Sequence, residues 1–142
     1  MTAPVFIDTN VPMYAAGRPH PCREAARDTI RGIVSGHIDA VTDSEVLQEI
    51  LYRYFAIGEK ATGLAVFDSF AAIMKDRVLP VTEADVMLAR QFAGSSNNNL
   101  SPRDLIHLAV MKSHSITRII TADAAFDTVE WVQRSDLRAV AK

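Results

Sequence analysis

A chain of 142 residues that is 49% hydrophobic is long enough to bury a full core as one domain spanning 1–142, without covalent staples. The single cysteine, Cys22, excludes a disulfide framework or a thiolate metal site, and no apolar run approaches the length of a membrane span. With 17 acids against 15 bases the formal charge is −2, which is not the basic footprint of a typical nucleic-acid binder.

Met1-Thr2-Ala3-Pro4 has neither a basic n-region nor a long apolar core, so no secretory signal is expected and a cytoplasmic location is. Residues 4 to 10, Pro4-Val5-Phe6-Ile7-Asp8-Thr9-Asn10, then run from apolar and β-branched side chains into a carboxylate and two polar residues. This pattern predicts a short buried strand that presents Asp8 at its C-terminal end. Ligands of open parallel sheets gather beyond that end of the strands, although an Asp there can equally form a turn.

Val11 to Ala16 reads as a short helical turn stopped by Gly17. A helix is expected from about Pro21 to Ser35, with Ala25, Ala26, Ile30, Ile33 and Val34 on its apolar face and Gly36 at its end. His37 to Thr42 suggests a second strand, followed by a helix over 43–57 that Thr42 would cap. Another helix, about Glu59 to Met74, carries Leu64, Phe67, Phe70 and Ala71. Val78-Leu79-Pro80-Val81 predicts a third strand, and its proline assigns it to a sheet edge because it cannot donate to a ladder.

Thr82-Glu83-Ala84-Asp85 has the form of a capping box opening a helix that ends near Gly94, and Ser95 to Asn99 reads as a polar loop. Ser101-Pro102-Arg103-Asp104 opens the most apolar helix, with Leu105, Ile106, Leu108, Ala109, Val110 and Met111 covered on most sides. Ile116 to Thr121 predicts a fourth strand ending in Ala122-Asp123. Phe126 and Asp127 fall in a short helical turn, and Val129 to Gln133 suggests a last strand. Strands alternating with helices define an α/β class with a parallel sheet.

Such a fold would bring Asp8, either Glu45 or Glu49, Asp104, Asp123 and Asp127 towards one rim of the sheet. Two carboxylates about 5 Å apart repel by roughly 3 kcal/mol at an effective dielectric of about 20. A hard divalent cation offsets that repulsion, and Mg²⁺ or Mn²⁺ suits oxygen ligands. Each acid also has a local explanation. Asp104 completes a capping box with Ser101, Glu45 stands three residues after Thr42, Glu49 can pair with Arg53, and Asp123 can form a turn. On the apolar face set by Val46, Leu47, Ile50, Leu51 and Tyr54, Glu49 stands on the flank and Glu45 points away, which favours Glu49. His20, His37, His107 and His114 show no zinc spacing and carry little weight. There is no Gly-rich phosphate loop and no Gly-x-Ser-x-Gly elbow.

Four segments carry a resemblance: Phe6-Ile7-Asp8-Thr9-Asn10, Val46-Leu47-Gln48-Glu49-Ile50, Arg103-Asp104-Leu105-Ile106-His107-Leu108-Ala109, and Ile119-Ile120-Thr121-Ala122-Asp123 with Phe126. In order and spacing the chain resembles the PIN-domain family, and within it the VapC-like toxins of toxin–antitoxin pairs. The resemblance implies a three-layer fold with a five-stranded parallel sheet between helices, and a Mg²⁺- or Mn²⁺-dependent endoribonuclease. It implies catalytic roles for Asp8, Glu49, Asp104 and Asp123, with the metal on Asp8, Asp104 and Asp123. Asn10 and Thr121 fall on supporting positions, and Asp127 is where some members place a further acid. A cognate antitoxin and a homodimeric toxin are implied as well.

Hydrolysis by a metal-activated water needs no side-chain nucleophile. Setting the four site acids apart from the 17 leaves 13 against 15 bases, a net of +2 for the rest of the surface. Arg18, Arg23, Arg53 and Arg103, with Lys60 and Lys112, are candidates for holding the RNA backbone. A catalytically idle PIN-like binding module and a housekeeping RNA-processing nuclease are the alternatives. An Asp-x-Asp phosphotransfer enzyme is excluded because Asn10 stands where its second acid is needed. A response-regulator receiver is excluded because it needs an acid pair after the first strand and a lysine ending the last strand.

Overall fold

The computed structural model describes residues 3–95 and 99–137. Chain order is β1 (Val5–Ile7), α1 (Asn10–Ala16), α2 (Arg23–Val34), β2 (Ala40–Asp43), α3 (Ser44–Ala56), α4 (Lys60–Ile73), β3 (Val78–Leu79), α5 (Glu83–Ser95), α6 (Pro102–Ser113), β4 (Arg118–Ile120), a 3₁₀ turn (Ala124–Thr128) and β5 (Gln133–Ser135). The five strands form one sheet in the order β3-β2-β1-β4-β5, and every pairing is parallel. Phe6 pairs with Val41 on one side and with Ile119 on the other, so β1 is the central strand. Strands β1 to β3 are laid down in one direction and β4 and β5 in the other. Right-handed crossovers then set α1–α4 and α5–α6 on opposite faces. The reversal falls between β1 and β4, which makes their C-terminal ends the topological switch point.

The core is built where those layers meet. Phe6, Ile7, Ile119, Ile33, Ile50, Phe70, Leu108 and Met111 are fully buried, as the apolar runs on β1, β4 and α6 require. Helix α3 approaches α4 at Gly63, where an added Cβ would lie 2.5 Å from Cβ of Tyr54. Strand β3 lies at the sheet edge as expected but stops at Leu79 instead of running to Val81, so Pro80 follows the strand and does not sit in it. Both expected capping boxes form: Thr82 with Asp85, and Ser101 with Asp104.

Several boundaries differ from the sequence expectation. The second strand begins at Ala40 rather than His37, because Gly36 turns out of α2 at φ +83° and the Ile38 N–H bonds back to the Gly32 carbonyl. The last strand is Gln133–Ser135 rather than 129–133. The N–H groups of Val129 and Val132 are spent on the Phe126 and Val129 carbonyls, and the ladder starts only when Gln133 reaches Thr117. Val34 is 68% exposed, since Thr29 takes the inner face of α2 between Ala25, Ala26 and Ile33. Leu64 is likewise exposed, and Gly63 and Val66 take the buried face of α4 beside Phe70. The expected 95–99 loop lies partly outside the described residues; Ser95 itself ends α5.

Helix α3 is capped one residue later than expected. Asp43 is the N-cap, its carboxylate accepting the Val46 N–H at 2.9 Å. Thr42 belongs to β2, with its N–H on the Arg77 carbonyl and its hydroxyl on the Ile7 carbonyl. Glu45 therefore has no capping box with Thr42.

Candidate active site

Asp8 leaves β1 at the switch point, and the backbone fixes it from both sides. Its own N–H bonds to the Ile120 carbonyl of β4, and its Oδ1 accepts the Thr9 N–H at 2.8 Å. Oδ2 accepts the Thr121 hydroxyl at 2.7 Å. Asn10 supports that pair, donating to Thr121 Oγ1 at 2.9 Å and accepting the Ala122 N–H at 3.2 Å. Thr121 Oγ1 also accepts the Asp123 N–H at 3.1 Å. Asn10 and Thr121 thus link the ends of β1 and β4 around one carboxylate.

Glu49 enters from α3. It is 8% exposed, and its Oε1 accepts the Thr9 hydroxyl at 2.8 Å. Arg53 and Arg103 approach its Oε2 at 3.5 and 3.8 Å. Asp104 sits in the first turn of α6, held by the Ser101 N–H, and Asp123 is exposed on the far rim, where it caps the 3₁₀ turn through the Ala125 N–H. Asp8, Glu49, Asp104 and Asp123 line one cleft of about 440 Å³, together with Asn10, Arg53 and Arg103.

The other residues singled out in the sequence lie elsewhere. Asp127 is exposed and engaged by Arg134 in two bonds, at 2.9 and 3.0 Å, and does not line the cleft. Arg18 faces a separate groove beside Tyr14 and His20, and Arg23 lines neither. Lys60 lies over the Phe55 ring and Lys112 over Trp131. Glu45 is half-buried and does not line the cleft. Burial first, then the charges of Asp43 and Glu49 against that of His107, raise its pKa.

Two site residues escaped the sequence reading. His107 is completely buried on α6, with Nδ1 2.8 Å from Oδ2 of the equally buried Asp43. Its Nε2 stands 3.8 Å from both Asp8 Oδ1 and Glu49 Oε1. The available signal was the three-residue spacing from Asp104, which puts the imidazole on the same side of the helix as the acid. A search confined to zinc spacings passes over it.

Electrostatics follow the burial. Desolvation dominates at Asp8 and, against the opposing effects of His107 and the Thr121 hydroxyl, raises its pKa to about 6. Burial also raises Asp104. At Glu49 burial pushes upward too, but His107, the Thr9 hydroxyl and Arg103 outweigh it and hold the pKa below its ordinary value. At His107 burial opposes charge, yet Asp43, Glu49 and Asp8 together raise the pKa well above the usual imidazole range. The surrounding carboxylates favour positive charge beside them, whether it arrives as a proton or as a metal ion. Asp8, Glu49 and His107 each offer a ligand atom, all within 4.8 Å of one another, so this donor set fits a cation.

Fold and cleft define a parallel α/β domain with an acidic, cation-suited site at the switch point of its sheet. A model of the PIN domain matches residues 5–132. Ribonuclease VapC13 of Mycobacterium tuberculosis is 39% identical over 130 residues, covering 92% of this chain and 98% of that protein. Among solved structures, the sarcin–ricin loop cleaving toxin VapC20 of Mycobacterium tuberculosis shares the fold with a TM-score of 0.72 at 18% identity, over 90% of this chain and 96% of that one. A toxin–antitoxin complex from Klebsiella pneumoniae contains a chain with a TM-score of 0.60 at 14% identity, over 91% and 95%. The chain belongs to the PIN-domain family, with VapC ribonucleases among its relatives. No helix among the described residues is long and apolar enough to cross a membrane.

Proposed function

We propose that this protein is a divalent-metal-dependent endoribonuclease acting as the toxin of a toxin–antitoxin pair. The observation that carries the reading is the convergence of Asp8, Glu49, Asp104 and Asp123 on one cleft at the switch point. The ribonuclease name of the relative at 39% identity supports the substrate class, and the toxin–antitoxin neighbour supports an antitoxin partner. A homodimeric toxin and a cytoplasmic location complete the proposal.

In this reading Asp8, Asp104 and Asp123 hold the cation, which is Mg²⁺ or Mn²⁺. Such an ion supplies Lewis-acid charge neutralisation at the phosphate and a lowered water pKa. The protein's own groups do the positioning. Thr121 and Asn10 hold the Asp8 carboxylate in one orientation, and Thr9 does the same for Glu49. Arg53 and Arg103, on the lining of the same cleft, take the phosphates flanking the cut and so position the RNA. Arg103 also stacks on Tyr52 at 5.0 Å, which steadies the guanidinium over the entrance. Asp127 and Arg134 act structurally, since Arg134 also donates to the Thr121 carbonyl at 3.2 Å.

The deciding experiment is incubation of chelator-treated protein with total RNA, with and without added Mg²⁺ or Mn²⁺, followed by mapping of the cut sites. Cleavage restored by the metal at defined positions supports the proposal, whereas cleavage that survives EDTA overturns the metal dependence. RNA binding without cleavage under either metal would favour the idle binding module. Cleavage without growth arrest on expression would favour a housekeeping nuclease.

A further inference from the structure

His107 has two ring nitrogens with different surroundings. Nδ1 is paired with Asp43 at 2.8 Å, and Asp43 is itself fixed by the Val46 N–H. The Phe6 ring packs on the imidazole at 5.3 Å between centroids, so the ring has one orientation. Nε2 is the buried side-chain polar atom without a hydrogen-bond partner among the described residues. It points at two carboxylates from different elements, Asp8 and Glu49, and lies 3.8 Å from each. A charge-assisted N–H···O bond spans about 2.7–2.9 Å, so neither separation is a hydrogen bond.

We propose that Nε2 of His107, Oδ1 of Asp8 and Oε1 of Glu49 form a mixed nitrogen–oxygen position for a divalent transition-metal ion, with Asp43 orienting the imidazole from behind. The inference rests on the metal-dependent reading above and names a donor that reading lacks. Ligand atoms about 2.1 Å from one ion stand roughly 3 Å apart at a right angle and about 4.2 Å apart when opposed. The two separations of 3.8 Å fall between those limits, whereas the 4.8 Å that spans the three atoms exceeds the wider one, so the two carboxylates must draw in around the ion. A carboxylate behind a metal-binding histidine is the recurrent device for fixing its tautomer and orientation. A histidine that served only to tie α6 to the start of α3 would need the Asp43 bond alone. The second nitrogen of His107 has no hydrogen bond among the described residues although it faces two acids, and an ion held there would displace the proton that those acids otherwise favour.

One imidazole among carboxylates changes metal choice. Mg²⁺ takes oxygen ligands and water, whereas imidazole suits later divalent metals, and affinities rise along the series from Mn²⁺ to Co²⁺ and beyond. The protein should therefore bind Mn²⁺ and Co²⁺ more tightly than Mg²⁺, and the preference should shrink in His107→Gln.

The test uses the full chain, freed of metal by chelation and titrated with Mn²⁺, with pulsed EPR of the loaded protein. The expected result is nitrogen modulation from one coordinated imidazole, lost in His107→Gln and kept in the triple variant His20→Gln/His37→Gln/His114→Gln. Asp43→Asn, which still caps α3, should bind Mn²⁺ about 10–100-fold more weakly. Bound Mn²⁺ with no nitrogen modulation overturns the proposal while leaving metal-dependent cleavage standing. Absence of Mn²⁺ binding overturns the proposal, and the reading above falls with it when Mg²⁺ also fails to bind. If His107→Gln does not fold, the triple variant decides: modulation that survives in it can come only from His107, and modulation lost from it belongs to another histidine and overturns the assignment.

Discussion

The Thr9 hydroxyl donates to Oε1 of Glu49 at 2.8 Å across 40 residues of chain, while the Thr9 N–H holds Oδ1 of the neighbouring Asp8 at the same distance. One residue thus sets two acids from separate elements. Thr9→Val keeps the shape and the N–H but deletes the hydroxyl. The loss should cost about 1–3 kcal/mol, because a buried carboxylate oxygen loses its donor. Cleavage should fall far more than stability, with Asp8-dependent metal binding largely kept. Thermal melts and RNA cleavage on the same preparation check this; equal small losses in both would show that Thr9 has no positioning role.

The start of α3 yields a second prediction. Asp43 both caps the helix and holds His107, so Asp43→Ala should remove a cap worth about 1 kcal/mol and leave a buried ring nitrogen unpaired for about 1–3 kcal/mol more. Glu45→Ala should change stability little, since Glu45 closes no capping box. Chemical denaturation of the two variants gives the contrast directly. Glu49→Gln and Glu45→Gln should likewise separate in activity, only the former losing cleavage. An inactive Glu45→Gln would move the second acid by one helical turn.

The raised pKa of Asp8 predicts how stability varies with pH. Its folded value of about 6 exceeds the ordinary 3.8, so the folded state holds the proton more tightly than the unfolded chain. That contribution is present below about pH 4 and is lost as pH rises through about 6, amounting to roughly 3 kcal/mol. In metal-free protein, Asp8→Asn should therefore gain stability relative to wild type between pH 4 and 7, while abolishing cleavage and relieving growth arrest. Urea titrations across that range measure the difference, and a constant gap between the two proteins would contradict it.

Asp127 supplies the negative control. Arg134 grips both of its oxygens, and Arg134 in turn reaches the Thr121 carbonyl. Asp127→Asn should leave cleavage near the wild-type rate. Arg134→Ala should lower it by loosening the turn that carries Thr121 and Asp123. A dead Asp127→Asn with intact metal binding would return this acid to the chemistry.

What could be read from the sequence was what local chemistry decides. The apolar run of β1 ends in Asp8, the two capping boxes announce α5 and α6, and Pro80 assigns β3 to the edge; all these signals lie within a few residues. Four acids could be expected on one rim because strand ends and helix starts share an edge of a parallel sheet. His107 and Asp43 could not be read in the same way. They are 64 residues apart, and their meaning comes only from the 2.8 Å between them once α6 lies against the start of α3. The register of β5 was hidden for a related reason: turn hydrogen bonds at Val129 and Val132 compete with the ladder, and β-branched composition does not reveal which wins.

The central place of β1 has a consequence for the order in which the molecule becomes complete. Asp8 and Glu49 belong to the first half of the polypeptide, and Asp104 and Asp123 to the last third. On the ribosome, the growing chain carries the first pair long before the second exists. The full acid set forms only when β4 slides in beside β1 and closes the Asp8–Thr121 bond. On the proposed reading, the growing protein therefore lacks its full acid set until that strand is made, and so does any fragment truncated before it.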